Sequence, residues 1–349
     1  LRSATADYAR RGDPVSAATL GRCLPEDERV SVPTLRRVLR DTGIWWGAHA
    51  GIDIAKESGV VLEYRSYYTK EMLNHFPGPG DLPDWPVVSL DESFVNLNHH
   101  SKYTWASKDM SVHSPSGKGA RLCMMAAAVV YDKDGELTGE LVRGSVNIWA
   151  PKTKKRVRGN TPDDMDFFDD DDYHGNITSA TFNPWFTKLC KTLSDDYGNC
   201  VITLDGAAYH KTEIDPAPTM GSTVEEMEDW LDAKCIPYAQ GTEANLYAII
   251  KEYKPEHRRL VVIETAHDHG HIVVFTPAYH PELAFIEKVW AAVKNPIAKS
   301  QVAGRTMTSL QQTVRENFRT KVTQDVIVGA FTCSLRFLRL YAEEDASVV

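Results

Sequence analysis

Two short apolar runs each end in an acid: Val87-Val-Ser-Leu-Asp91 and Cys200-Val-Ile-Thr-Leu-Asp205. Apolar runs of this length read as short strands, so each terminal aspartate stands at a strand end. Around them lie further strand patterns. Ala120-Arg-Leu-Cys-Met-Met-Ala-Ala-Ala-Val-Val-Tyr131 reads as a buried strand closed by the turn Asp132-Lys-Asp-Gly135, Leu141 to Trp149 is another candidate, and His271-Ile-Val-Val-Phe275 is a further one. Leu283 to Val293 then takes helical spacing. Strands mixed with helices, with hairpin turns early, predict an α/β or α+β sheet covered by helices.

The composition fits such a fold. The chain has 349 residues, 42% apolar and 25% charged, with 39 Lys+Arg against 48 Asp+Glu for a formal charge of −9. That is a folded composition, and the length suggests about two units at roughly 150 residues each. The longest apolar run, Leu122 to Tyr131, is about half of the ~20 residues that span a bilayer, which excludes an integral membrane protein. No charged-then-apolar leader opens the chain, and with Leu1 in place of Met at its start, further sequence upstream is an expectation. The six cysteines form no CxxC, so reduced thiols of a nuclear or cytosolic protein are expected. The acidic balance argues mildly against nucleic acid, although the acid is locally concentrated.

Residues 1–50 read as a helical unit. Ser31 caps a helix that carries Pro33 in its first turn, apolar Leu35, Val38 and Leu39, and a stop at Gly43. Arg36, Arg37 and Arg40 fall on its outward face, and a short helix around Val15–Cys23 would complete a helix-turn-helix. Residues 51–85 read as a linker, 86–300 as the main domain with a helical insertion at about 212–268, and 301–349 as C-terminal helices including Val322–Tyr341. Lys152, Lys154, Lys155, Arg156 and Arg158, followed by Asp163, Asp164, Asp166 and Asp169 to Asp172, form a charged loop or a contacting arm.

A third acid, Glu287, opens the helical stretch Phe285-Ile-Glu-Lys-Val-Trp290. Asp91, Asp205 and Glu287 can converge at one sheet edge, where three carboxylates suit Mg²⁺. Two such ions about 3.5–4 Å apart support phosphodiester chemistry. Each acid taken alone is more readily a turn or cap residue. His267, His269 and His271 with Cys235 do not make a zinc set, because alternating positions on a strand face opposite ways. Glu92 should point away from Asp91. His210 is a candidate for phosphate or metal-supporting contact, with capping or packing as the alternative. Trp290, three residues after Glu287, should pin its helix to the sheet. Lys118 and Arg121 flank the turn Ser116-Gly-Lys-Gly-Ala120 and could face DNA.

Five segments occur in order: Val88-Ser-Leu-Asp-Glu-Ser-Phe94, Ser116-Gly-Lys-Gly-Ala-Arg-Leu122, Asp172-Tyr-His-Gly-Asn176, Ile202-Thr-Leu-Asp-Gly-Ala-Ala-Tyr-His-Lys211 and Thr276-Pro-Ala-Tyr-His-Pro-Glu-Leu-Ala-Phe-Ile-Glu-Lys-Val-Trp290. Together they resemble the DDE domain of the Tc/mariner transposase superfamily over roughly residues 86–300. The resemblance implies a ribonuclease-H-like mixed sheet flanked by helices, with Asp91, Asp205 and Glu287 as catalytic metal ligands. It further implies two Mg²⁺ or Mn²⁺ ions and cutting and rejoining of double-stranded DNA at transposon ends and target. Arg36, Arg37, Arg40, Lys118, Arg121, Lys154, Lys155 and Arg156 become candidate DNA contacts, and Glu92 and His210 supports for the acids. A homodimer is expected, nuclear in a eukaryote and otherwise cytoplasmic. The sequence departs from the family at Gly206, where Asn is usual, and at Ala284-Phe285, where Asn-Pro is usual. The 287 − 205 − 1 = 81 residues between the last two acids exceed the usual few tens. An alternative is a domesticated descendant that binds DNA or protein with catalysis weak or lost.

Overall fold

The computed structural model describes residues 16–42, 56, 58–78, 80–101, 117–151, 177–300 and 303–346. The charged segment 152–176, with Lys154, Lys155 and Arg156, lies outside them, as do Gly43, Trp45, Trp46 and Trp105. The chain divides into two compact units, 1–61 and 62–349.

In the first unit, α1 (Ala17–Arg22) and α2 (Val32–Asp41) pack through Leu20, Leu35 and Leu39. Ser16 and Ser31 accept from the backbone N–H of Thr19 and Thr34, satisfying otherwise orphaned donors of the first turns. The connector, residues 23–31, is longer than the roughly three- to four-residue turn of a helix-turn-helix. Val38, expected inward, is exposed, while Arg36, Arg37 and Arg40 face solvent.

The second unit is built on a six-stranded mixed sheet. Five strands run in the order β3-β2-β1-β5-β6, with β4 also on β2: β1 (Val87–Asn96), β2 (Arg121–Lys133), β3 (Glu136–Leu141), β4 (Asn147–Trp149), β5 (Val201–Leu204) and β6 (Ile272–Phe275). β1 pairs antiparallel with β2 and parallel with β5, which pairs parallel with β6. The β2–β3 hairpin turns on Asp134 and Gly135, both at positive φ, which a two-residue type I′ turn demands. The single strand expected over Leu141–Trp149 is broken. Ser145 Oγ satisfies both the N–H and the carbonyl of Ala127, which lets the chain leave the edge of β2 and return as β4.

Both faces of the sheet are covered, which explains why Leu122 to Val130 carries no polar residue and is almost wholly buried. On one face lies α4 (Ser179–Tyr197), presenting Phe182, Phe186, Leu189, Cys190 and Leu193 at helical spacing, together with α7 (Val261–Asp268). The other face holds α3 (Gly59–Leu73), α8 (Ile286–Lys299), α9 (Met307–Lys321) and α10 (Gln324–Ala346). The expected linker 51–85 therefore contains a helix: α3 buries Tyr68 and Met72 in this core, and its Arg65 pairs with Asp345 of α10. The helix expected from Leu283 begins at Ile286, after a short 3₁₀ turn at Pro281–Leu283.

Within the insertion, α5 (Val224–Ala233) and α6 (Glu243–His257) share a small core of Met227, Trp230, Leu231, Leu246 and Ile250. α7 is not part of that lobe, because Leu260, Val262 and Ala266 pack into the core beside α4. The lobe is thus narrower than 212–268. Its stem is closed by Ile214 N–H to Arg259 O (3.0 Å), Val261 N–H to Thr212 O (2.9 Å) and a β-bridge between Glu213 and Leu260. His267 and His269 end α7 and do not enter a strand. Among the described residues no helix is long and apolar enough to cross a membrane.

Candidate active site

The register of β1 on β5 pairs Ser89 with Thr203. Two residues further, Asp91 falls opposite Asp205, and by the period of two both side chains leave the sheet on the face covered by α8. Glu287 lies in the first turn of α8. Two of the three acids respond to the others. Burial, then the charges of Glu92, Glu287 and Asp205, push the Asp91 carboxyl well above its usual range, while a hydrogen bond from Trp290 opposes the rise. Glu287 is raised by its protein surroundings and by Asp205, with Lys294 working the other way.

Around the acids each neighbour has a definite contact. Trp290 Nε1–H donates to Asp91 Oδ2 at 2.9 Å, so the indole does pin α8 to β1, through the acid itself. Lys294, two turns after Glu287 on the same helix face, donates to Ser93 Oγ at 3.0 Å. Burial lowers its pKa, and the charges of Glu287 and Asp91 partly restore it. Asp205 Oδ1 accepts from Ala207 N–H at 3.0 Å and from His210 Nδ1 at 2.7 Å.

His210 lies in the 3₁₀ turn Ala208–Lys211 beyond the end of β5, its ring 4.3 Å from that of Phe182. Its Nε2 donates to Glu92 Oε1 at 3.4 Å, and Glu92 Oε2 accepts from the Tyr209 hydroxyl at 2.9 Å. Burial alone would depress this imidazole, but the bonds to Asp205 and Glu92 prevail and hold it up at about 9. At neutral pH it is a cation that donates from both ring nitrogens. Glu92 faces away from Asp91, and its side chain is fully buried against that cation.

The donor set fits a hard divalent cation: three carboxylates, oxygen ligands only, and repulsion among them that a bound cation would relieve. As the side chains stand, no group of three or more His, Cys, Asp or Glu among the described residues is drawn tightly enough to hold an ion. Asp91 is instead held by Trp290, and Asp205 by His210 and Ala207. Asp205 is 44% exposed at its side chain and Glu287 is open to solvent, so a substrate can reach the acids.

Of the other sequence candidates, Lys118 is exposed beside the loop that leads into β2, and the Arg121 guanidinium stacks on Phe94 at 4.3 Å. Sequence reasoning missed Lys294, although its seven-residue spacing from Glu287 is a readable signal. It also missed Tyr209 as the partner of Glu92, for which no sequence signal exists.

Comparison with family models finds no match, and none is found among curated proteins. Solved structures do match. The Mos1 transposase paired-end complex with left transposon end aligns at a TM-score of 0.57 and 12% identity, over 98% of this chain and 78% of that one. The Mos1 mariner paired end complex with Mn gives 0.57 and 12%, over 95% and 75%. A pre-cleavage Mos1 transpososome gives 0.55 and 12%, over 95% and 79%. At this identity the likeness is one of architecture: the chain has the fold of the Mos1 mariner transposase, with its ribonuclease-H-like sheet.

Proposed function

We propose that this chain is a divalent-metal-dependent DNA transposase of the Tc/mariner type. The observation that supports the reading is the register that sets Asp91 opposite Asp205 at the end of two parallel strands, with Glu287 in the first turn of the neighbouring helix α8. Asp91, Asp205 and Glu287 would hold the metal. A pair of Mg²⁺ or Mn²⁺ ions supplies, when bound, charge stabilisation at the scissile phosphate and activation of the attacking hydroxyl.

The chain's own residues set the stage for that chemistry. Trp290 fixes the rotamer of Asp91, and the His210 cation orients Asp205 and balances the buried Glu92. Lys294 places a positive charge near Glu287 and Asp91, where a phosphate oxygen would otherwise meet only acids. Hydrolysis at an element end, followed by attack of the freed 3′-hydroxyl on target DNA, reuses this one site and needs no protein nucleophile. Double-stranded DNA is the substrate, two copies of the chain would pair two ends, and nuclear action follows in a eukaryotic host.

The test is nicking of supercoiled plasmid with Mg²⁺ or Mn²⁺ by the full chain beside Asp205→Asn. Metal-dependent nicking that the variant loses, with its fold intact, is the expected result. A variant as active as the parent would overturn the assignment. DNA binding with no cleavage by the parent would mark a domesticated descendant instead.

A further inference from the structure

Gly206, directly after Asp205, leaves room that another residue occupies. A Cβ at this position would stand 2.7 Å from Lys211 Nζ and 3.3 Å from its Cε. Lys211 closes the 3₁₀ turn Ala208–Lys211, and its side chain folds back so that the ammonium lies against the backbone of residue 206. The ring of Phe275 lies 5.6 Å from the ammonium, and the pairing of Leu204 with Phe275 keeps that ring at the same end of the sheet as the acids. The residue is half-buried, yet no ion pair with a carboxylate holds it among the described residues. Nor is it among the charges that shift Asp91 or Glu287. Lys294 differs on the second count, since its charge acts on Glu287, while its ammonium donates to Ser93.

A lysine whose ammonium is positioned but not neutralised, held against the residue that follows a proposed metal ligand, is a point charge awaiting an anion. We propose that Lys211 grips a DNA backbone phosphate adjacent to the one the acids act on, and that the missing side chain at Gly206 is what admits it. This deepens the transposase reading and rests on it. Phosphate contacts of this kind position the duplex without reading its sequence. The replacement of Asn by Gly after the second acid then becomes one half of a two-residue arrangement whose other half is Lys211.

The test is metal-free binding of the full chain, in EDTA, to a short duplex, followed by fluorescence anisotropy across a salt series. Each phosphate contact contributes about one to the slope of log K against log salt, so Lys211→Ala should weaken binding and lower the slope by about one. Lys211→Arg should keep the slope. Gly206→Asn, which fills the ammonium's place, should lower it as Lys211→Ala does, although the lysine is still there. An unchanged slope in Lys211→Ala overturns the proposal. So does an equal loss in Lys211→Arg, because charge is what the contact requires, and an unchanged slope in Gly206→Asn overturns the role given to the glycine. Plasmid nicking by the parent separates the two readings. A parent that nicks while Lys211→Ala keeps its slope rejects only the lysine, and a parent that never nicks while the slope falls rejects only the transposase.

Discussion

Asp91→Asn should make the metal-free protein more stable while destroying its proposed activity. The substitution keeps the shape, and the amide oxygen can still accept from Trp290 Nε1–H. It removes a charge that burial, Glu92, Glu287 and Asp205 all oppose. Neighbouring strands stand about 4.8 Å apart, and two unit charges at about 5 Å repel by roughly 3 kcal/mol at an effective dielectric of about 20. The wild-type site escapes part of this by taking up a proton, so about 1–2 kcal/mol should appear as a gain. At about 2–4 °C per kcal/mol for a domain of this class, the melting temperature should rise by about 2–8 °C. The sign with pH follows from the raised pKa. Below the unfolded value the wild-type carboxyl is protonated in both states, and stability is lost as pH rises through the folded value. The advantage of the variant should therefore be largest near pH 7.5 and shrink toward about pH 5. Thermal melts in EDTA across that range measure it. Added Mg²⁺ should stabilise the wild type, by about 2.7 kcal/mol at a hundredfold excess over its dissociation constant, and the variant much less. A variant no more stable than the parent at neutral pH, or a gain that does not fall with acid, would refute the picture of mutually repelling acids.

Trp290→Phe should cost about 2 kcal/mol in urea unfolding, because it opens space in the core and strips Asp91 of its donor, and unchanged stability would contradict that. His271 donates from Nε2 to Cys190 O and accepts from Cys200 N–H at Nδ1, so the native ring is neutral, and burial lowers its pKa. Its contribution is present above the unfolded value of about 6.5 and fades as pH falls through that value and the lower folded one, a dependence that urea midpoints should show and His271→Gln should lack. Replacing residues 215–257 by a short Gly-Ser link should leave a folded protein with a cooperative melt. Loss of cooperative unfolding would show that the small core of α5 and α6 supports the sheet.

The apolar runs made the sheet legible, because strands covered on both faces cannot hide their composition. The acids were legible as candidates only as a set, because a carboxylate ending a strand such as Val-Ile-Thr-Leu is, taken alone, a common turn or cap residue. What stayed hidden was contact across distance. Nothing local joins Tyr209 to Glu92, and Lys211 reaches the space beside Gly206 because a 3₁₀ turn folds it back, which no sequence pattern marks. α3 was hidden for a different reason. Gly59–Leu73 mixes tyrosines and charges around its circumference, so its apolar stripe is blurred, and tertiary burial of Tyr68 and Met72 decides its place. The break at residues 142–146 depended on Ser145 standing in for a strand partner, which periodicity cannot register.

The clasp at Thr212–Ile214 and Arg259–Val261 has an evolutionary reach. Because the two ends of the excursion meet and are tied before the chain returns to β6, whatever lies beyond the tie can lengthen, shorten or be exchanged without moving Asp205 or Glu287. The interval between those acids is then free to drift among descendants of one ancestor. Kinship in such chains is better judged by what borders each acid than by how many residues intervene.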